Sequence, residues 1–383
     1  MKKAYDYIIL GAGLSGLMML LRMLDDPFFK NKQLLLIDEN LDKGNDRTWS
    51  FWQKEPSFLD HLISKTWSAI QVADNNWQQD IPISPYQYAT IEGSDFYSYA
   101  FAKIKDVTNL TTLEVTVVTI EEQDAAVFVT TDDGKIHQGK YVLNSLFKPE
   151  ILEKQDRYAV LQQHFVGWFI QTEEPVFDTE VATFMDFSIP QRGNCRFMYV
   201  LPFSPTEALF EYTLFSEKLL PEAEYEVALT DYLNNKGISQ YNIKRKEKGS
   251  IPMSCYPFEQ HNTARIIHIG TAGGWTRPST GYTFQYTLKK SAALLQYLKK
   301  GKDLKHFSKR TRSWYFDLIL LDILKRRNDL GGEIFVKLFQ RNPLDRLFRF
   351  LDGETSLWEE FRLVLTPPPK EFIRSLIRKL MGK

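Results

Sequence analysis

The chain has 383 residues, 43% hydrophobic and 25% charged, with 48 basic and 48 acidic side chains and no net charge. This is an ordinary globular composition, and the charge balance carries no nucleic-acid footprint. The two cysteines, Cys195 and Cys255, lack metal-ligand or Cys-x-x-Cys spacing, so no metal site is expected and a reducing, cytoplasmic setting is.

Tyr5–Leu10 is an apolar, strand-forming run so near the start that no secretory leader is expected. Gly11-Ala12-Gly13-Leu14-Ser15-Gly16 follows at once, and Leu14–Leu24 has the pattern of a helix. Strand, glycine-rich turn and helix stand in the order a Rossmann unit needs. Gly11 allows the tight turn, Gly13 lets a pyrophosphate approach the backbone, and Gly16 lets helix and strand pack closely. The helix N-terminus offers N–H groups and a positive dipole end to phosphate. A second strand, Gln33–Ile37, ends at Asp38, where such folds place the acid that binds a ribose hydroxyl. A bare Gly-x-Gly-x-x-Gly is weak evidence; in this context it predicts a dinucleotide site.

Leu113–Val117 and Ala126–Thr130 are predicted to pair as a hairpin, and Tyr141–Ser145 to return to the first sheet. His164–Gln171, Ala182–Ile189, Arg196–Phe203 and Ala208–Phe215 then read as strands of an antiparallel second lobe. In the last of these, Leu209, Glu211, Thr213 and Phe215 share one face, and Ala208, Phe210, Tyr212 and Leu214 the other. A carboxyl buried in so apolar a strand would have a raised pKa and serve as a proton donor at neutral pH. The alternative is a solvent-facing Glu211 on a one-sided sheet, and Asp186 poses the same choice.

Late in the chain, Arg265–Ile269 is a strand, Gly270-Thr271-Ala272-Gly273-Gly274 a glycine-rich turn, and Tyr282–Lys299 an apolar-periodic helix. This resembles the second nucleotide element of flavin hydroxylases and reductases, with Thr271 where that group usually has Asp. From Lys305 to Lys383 there are 17 Lys or Arg against 10 Asp or Glu, a charge of +7. Phe372–Leu380 reads there as a basic amphipathic helix suited to an anionic lipid surface, or else to packing on the body. The longest apolar stretches, Leu17–Leu24 and Trp314–Leu324, are interrupted by Arg22, Asp317 and Asp322 and fall short of the ~18 residues that span a bilayer.

In combination these motifs resemble the bacterial lycopene β-cyclase family. They are Asp46-Arg47-Thr48-Trp49-Ser50-Phe51, Met185-Asp186 ahead of Tyr199-Val200-Leu201-Pro202, Leu209-Phe210-Glu211-Tyr212-Thr213, Gly249-Ser250-Ile251-Pro252-Met253, Arg277-Pro278-Ser279-Thr280-Gly281-Tyr282 and Thr366-Pro367-Pro368-Pro369. Family members often carry two acids at the catalytic strand, where this chain has Glu211 followed by Tyr212, and His where Arg277 stands. The resemblance implies an α/β fold. A discontinuous Rossmann-like FAD domain of the flavin hydroxylase/glutathione reductase type would span 1–80, 105–160 and 260–300. An antiparallel-sheet substrate domain would take 81–104 and 161–259, and a helical region 301–383.

It further implies redox-neutral, acid-catalysed ring closure of lycopene, with Glu211 as acid and Asp186 in support. FAD would be needed in reduced form, with NAD(P)H as electron source. Gly11, Gly13, Gly16, Asp38, Arg47, Gly270, Gly273 and Gly281 are the candidate cofactor residues. Trp49, Trp52 and Tyr212 are the candidate aromatic faces for a carbocation, with core packing the alternative for the two tryptophans. A carotenoid substrate implies a peripheral membrane location. A geranylgeranyl reductase-like or other flavin oxidoreductase is the rival enzyme, and a non-catalytic flavin or lipid binder the rival from another class.

Overall fold

The first strand forms where large and β-branched apolar residues concentrate. β1 (Ala4–Leu10) carries Ile8, Ile9 and Leu10 with no exposed surface, as a parallel strand covered on both faces requires. The chain passes through Gly11 (φ +93°) into α1 (Leu14–Asp25) and returns as β2 (Leu34–Asp38), parallel to β1. This computed structural model describes residues 4–367 and 369–381.

β3 (Thr48–Gln53), β4 (Lys65–Trp67), β5 (Ala69–Ala73), β6 (Gln78–Pro82) and β7 (Gln87–Glu92) precede α2 (Gly93–Ile104). β3, β7 and β4 form a small antiparallel sheet, while β5 and β6 join the edge of the second large sheet. Here the observed organisation differs from the predicted division at residue 80. Strands 69–82 belong with the second lobe, and α2 buries Phe96, Ala100 and Ile104 in the core that it shares with α1.

β8 (Leu110–Glu114), β9 (Val117–Gln123), β10 (Ala126–Thr131) and β11 (Ile136–Asn144) complete the first sheet, in the order β8-β2-β1-β11-β10-β9. The predicted hairpin is corrected at one arm. Leu113 and Glu114 end β8, which runs parallel to β2, and the strand paired with β10 is β9. Val115 N–H bonds the Asp38 carbonyl there, so the chain breaks between the two strands.

After α3 (Glu150–Glu153), the second sheet is built from β12 (Val160–Gln171), β13 (Val181–Asp186), β14 (Cys195–Ser204), β15 (Glu207–Ser216), α4 (Glu222–Asn235) and β16 (Asn242–Ser254). Its order is β16-β12-β15-β14-β13-β5-β6. Period-2 alternation gives the sheet two apolar faces. Phe210, Tyr212, Leu214, Val166 and Trp168 pack against Tyr225, Leu229 and Tyr232 of α4. Leu209, Phe215, Phe197 and Tyr199 point the other way, toward the C-terminal helices.

β17 (Ile266–His268) adds to the first sheet beside β11, and α5 (Phe284–Lys299) packs in the same core as α1. α6 (Arg312–Arg326), α7 (Gly331–Arg341), α8 (Leu344–Leu351), α9 (Leu357–Val364) and α10 (Pro369–Leu380) form the predicted helical region. The fold is thus α/β with a second sheet that is antiparallel except where β13 runs parallel to β5, and a helical C-terminus. Pro368, within the predicted Thr366–Pro369 motif, lies outside the described residues.

Candidate active site

Between the open face of the second sheet, the loop before α5 and the C-terminal helices lies a cavity of about 650 Å³. Its wall is largely aromatic and aliphatic: Phe165, Phe184, Phe197, Phe215 and Met185 from the sheet, and Phe335, Phe339, Leu347, Phe350 and Phe372 from the helices. Such a surface binds by apolar burial, worth roughly 25 cal/mol per Å².

Among its polar groups, two carboxyls are brought together by the sheet. Tyr199, Glu211, Gly167 and Glu247 stand in one rung across β14, β15, β12 and β16. Gly167 is the reason the two carboxyl groups can approach. A Cβ there would sit 3.1 Å from Glu247 Cγ and 3.6 Å from Glu211 Cγ, so both side chains lean over the space a side chain would occupy. Thr213 Oγ1 donates to Glu211 Oε1 at 2.6 Å, and Thr48 Oγ1 to Glu247 Oε2 at 3.1 Å. Tyr88 Oη lies 2.7 Å from Tyr199 Oη and 3.3 Å from Tyr282 Oη, a phenol cluster on the same wall.

Burial pushes the Glu211 carboxyl up to about 8, and the neighbouring Glu247 charge adds to the effect. Burial likewise raises Glu247 to about 7, opposed by the Arg245 guanidinium and the Thr48 hydroxyl. Glu211 therefore holds its proton at neutral pH, and Glu247 is the member of the pair that ionises first.

The nucleotide-type turn adjoins this cavity but does not line it. Gly13 begins α1 without a side-chain cap, and a Cβ there would meet no protein atom within 4 Å. That leaves open space above the uncapped first turn, which is what a bound phosphate group needs. At Gly16, by contrast, a Cβ would fall 1.9 Å from the Gly11 carbonyl oxygen, so this glycine serves the close crossing of helix and turn. Asp38 accepts from Ala12 N–H (2.5 Å), Asn40 N–H (2.8 Å) and Lys43 Nζ (2.6 Å), tying the end of β2 to the turn. Gly270 (φ +61°) approaches Ser15 of α1, and a Cβ on Gly273 would collide with the His268 carbonyl. The two glycine-rich turns therefore meet. Gly281 lines the cavity, as do Arg47, whose side chain is largely exposed, and Thr271.

Three predicted site residues are elsewhere. Tyr212 lies on the α4 face of the sheet, where its hydroxyl accepts from Arg196 Nη1 at 2.9 Å; strand alternation puts it opposite Glu211. Asp186 also turns away from the cavity. It accepts from Tyr232 Oη at 2.7 Å and Ser188 N–H and pairs with Lys236 at 3.3 Å. Alternation from Phe184, which lines the cavity, would have put it there, but the register shifts between Thr183 and Asp186, and such a bulge re-aims the side chains that follow. Hydrogen bonds from Ser188 and Tyr232 and the Lys236 charge outweigh its burial and lower its pKa, so it stays ionised and gives Glu211 no support. Trp52 stands behind the wall, stacked on Phe348 (4.9 Å) and edge-on to Tyr282 (4.6 Å). Trp49 does line the cavity, braced by Phe96 and Tyr97.

The sequence reading missed Glu247, Gly167 and the three tyrosines as a set. Glu247 sits in Lys244-Arg245-Lys246-Glu247-Lys248, which looks like a solvated strand; only the strand pairing brings it beside Glu211.

The loop that closes the cavity is anchored by an ion pair. Arg277, 2% exposed, binds Asp317 of α6 at 3.0 Å, and also Tyr286 Oη and the carbonyls of Phe350 and Leu351. Ser279 Oγ donates to the same Asp317 oxygen at 2.6 Å. Among the described residues no group of three or more His, Cys, Asp or Glu is arranged to hold a metal, and no helix is long and apolar enough to cross a membrane.

The sequence profile of the family described as "Lycopene cyclase protein" matches residues 6–377. A lycopene beta-cyclase of Pantoea ananas is 23% identical over 402 residues, covering 98% of each chain. One from Paracoccus sp. (strain N81106 / MBIC 01143) is 28% identical over 221 residues, covering 54% of this chain and 56% of its own. Among solved structures, the flavin-dependent brominase Bmp2 superposes with a TM-score of 0.65 at 13% identity over 100% of both chains. A geranylgeranyl bacteriochlorophyll reductase-like protein of Thermoplasma acidophilum gives 0.61 at 11% identity, over 98% of this chain and 99% of its own. These likenesses show a shared fold.

Proposed function

The chain belongs to the lycopene cyclase protein family, and from that premise we propose that it closes the ends of lycopene into β-ionone rings by acid catalysis. The observation that carries this reading is Glu211, a carboxyl that keeps its proton at neutral pH, on the wall of a cavity whose lining is largely aromatic and aliphatic. A hydrocarbon offers nothing to hydrogen-bond, so apolar burial must hold it, and the reaction must be started by a water-excluded acid that still carries its proton at neutral pH.

Glu211 gives its proton to a terminal alkene. The next double bond closes on the cation, and a ring proton leaves. Faces of Trp49, Phe184 and Tyr282 border the space where positive charge develops and can stabilise it by cation–π attraction. Tyr88, Tyr199 and Tyr282 stay protonated, since burial and their mutual contact raise each well above the usual phenol range.

The cofactor of this reading is FAD, which the halogenase PltM of similar fold binds, with NAD(P)H as its electron source. The uncapped turn at Gly13 and the meeting of Gly270 with Ser15 fit its diphosphate; Thr271, Arg47 and Gly281 continue that surface toward the cavity. In reduced form it would supply negative charge beside the cation. Because a methyl at Gly13 meets no protein atom, Gly13→Ala is expected to leave the melting temperature of flavin-free protein unchanged while weakening FAD binding by about tenfold or more. Fluorescence titration with FAD checks this, and an unchanged affinity contradicts it.

Lycopene partitions into membranes, and the C-terminal helices have the surface to meet one. α10 is held to α6 by its polar side: Ser375 Oγ and Lys379 Nζ bind Asp322 at 2.8 and 3.1 Å. Its apolar residues Ile373, Leu376, Ile377 and Leu380 are 46–78% exposed, and Trp358, Phe361 and Leu365 of the α9 region are exposed as well. Phe372 and Leu363 of the same two helices line the cavity, so the exposed patch borders its mouth. The protein is expected to float with vesicles containing anionic lipid, and Ile373→Glu/Leu376→Glu/Ile377→Glu to reduce this severalfold. A wild-type soluble fraction unchanged by lipid would sink the membrane proposal.

Expression in a bacterium that accumulates lycopene, followed by pigment chromatography, tests the activity itself. Cyclic carotenes support it; saturated products would favour a reductase, and unchanged lycopene a non-catalytic binder.

A further inference from the structure

Glu247 is a second cavity carboxyl, one that the single-acid mechanism leaves without a task. It stands on β16, two strands from Glu211 and in the same rung, and the missing side chain of Gly167 leaves both carboxyl groups leaning over one gap. Both line the cavity. A cyclisation needs two proton transfers of opposite direction at one ring, one to carbon and one from carbon. A carboxylic acid and a carboxylate side by side on one wall provide both. Resting on the cyclase reading above, we infer that Glu247 is the general base that takes the ring proton, paired with Glu211 as the acid.

The surroundings set the order of the pair. Glu211 has Thr213 as a neutral donor, with the phenols Tyr88, Tyr199 and Tyr282 nearby. Glu247 has Thr48 and the Arg245 guanidinium in its favour, with Glu92 opposing. Asp46, Arg47 and Lys248 also border the cavity, near its solvent side; Asp317 is neutralised by Arg277. The positive charge near Glu247 and its absence near Glu211 put the proton on Glu211 and the negative charge on Glu247.

The chemistry balances. The Glu211 proton forms a new C–H bond at the expense of a π pair. The neighbouring alkene closes the ring C–C bond. The Glu247 carboxylate removes a ring proton, and the C–H pair becomes the ring double bond. The proton has moved from Glu211 to Glu247; Glu247 releases it to solvent and Glu211 takes a fresh one from solvent, which resets the site. No electron is gained or lost. A fixed base also selects which adjacent proton leaves, and so where the ring double bond falls.

The test compares wild type, Glu211→Gln, Glu247→Gln and Glu247→Asp as FAD-loaded protein under reduction, with lycopene in vesicles, across pH. Wild type is expected to show a bell-shaped kcat profile, with an acid limb near 7 from Glu247 and an alkaline limb near 8 from Glu211. Glu247→Gln is expected to lower kcat about 10²-fold, to remove the acid limb, to move the alkaline limb to lower pH because Glu211 loses its negative neighbour, and to yield a changed mixture of ring isomers. Glu247→Asp is expected to keep the acid limb and recover part of the rate. A merely structural Glu247 would leave the acid limb and the isomer mixture unchanged; its replacement would move only the rate and, through the lost charge, the alkaline limb. A Glu247→Gln variant with wild-type rate, both limbs and the same isomer overturns the inference while Glu211→Gln remains inactive. Failure of wild type to cyclise at any pH overturns the underlying reading, and the inference with it.

Discussion

Glu211→Gln is expected to lower cyclisation by about 10³-fold or more, because the only change is the loss of the proton that starts the reaction. The side chain is 8% exposed and Gln fills the same volume, so the cavity keeps its shape. The same variant is expected to be more stable than wild type at alkaline pH. With a folded-state pKa of about 8 against an ordinary 4.5, Glu211 remains protonated in the folded chain while the unfolded chain ionises. Wild-type stability therefore falls as pH rises through that window and is unaffected below it. Glu211→Gln lacks that slope, so its melting temperature should match wild type at pH 4 and exceed it at pH 9. An inactive variant with a lower melting temperature at pH 9 would place the loss in folding instead of chemistry.

Arg277→Met is expected to destabilise the protein by about 3–5 kcal/mol, the usual effect of stripping one partner from a buried ion pair. Arg277 and Asp317 are 2% and 3% exposed, and burial already raises the Asp317 carboxyl against the pull of Arg277. Without the guanidinium, Asp317 would remain as a buried acid with no ion-pair partner, and the Phe350 carbonyl would lose the donor that Arg277 supplies, while Leu351 keeps the Tyr286 hydroxyl. Adding Asp317→Asn should recover much of the loss, and a double-mutant cycle by denaturant unfolding measures the coupling. A loss below about 1 kcal/mol would show that the loop and the C-terminal helices are held together by their apolar contacts alone.

Local patterns carried the parts of the fold that depend on neighbours in the chain. The Gly11–Gly16 turn, the end of β2 at Asp38, the alternation of β15 and the late strand–loop–helix around Gly270 were all legible from spacing. What depended on pairing was not. The bulge after Thr183 reversed Asp186, which strand parity alone could not foresee. Strand alternation already turned Tyr212 away from Glu211, and aromatic type alone made it a candidate. Glu247 was hidden in a run of charges, since its meaning comes from Gly167, its register partner on the neighbouring strand, and from Glu211 one strand further. Arg277, a departure from the family's His, proved to be an anchor for the helices that close the cavity.

The measurement that bears most directly on the central claim is turnover of lycopene by the FAD-loaded, reduced protein in D2O, with mass analysis of the carotene and simultaneous measurement of NAD(P)H. Proton donation from an exchangeable carboxyl followed by loss of a ring proton predicts one deuterium per ring formed and no NAD(P)H consumed in step with product. Products that gain two hydrogen atoms per site with matching NAD(P)H oxidation, or rings formed without deuterium, would contradict acid catalysis from Glu211.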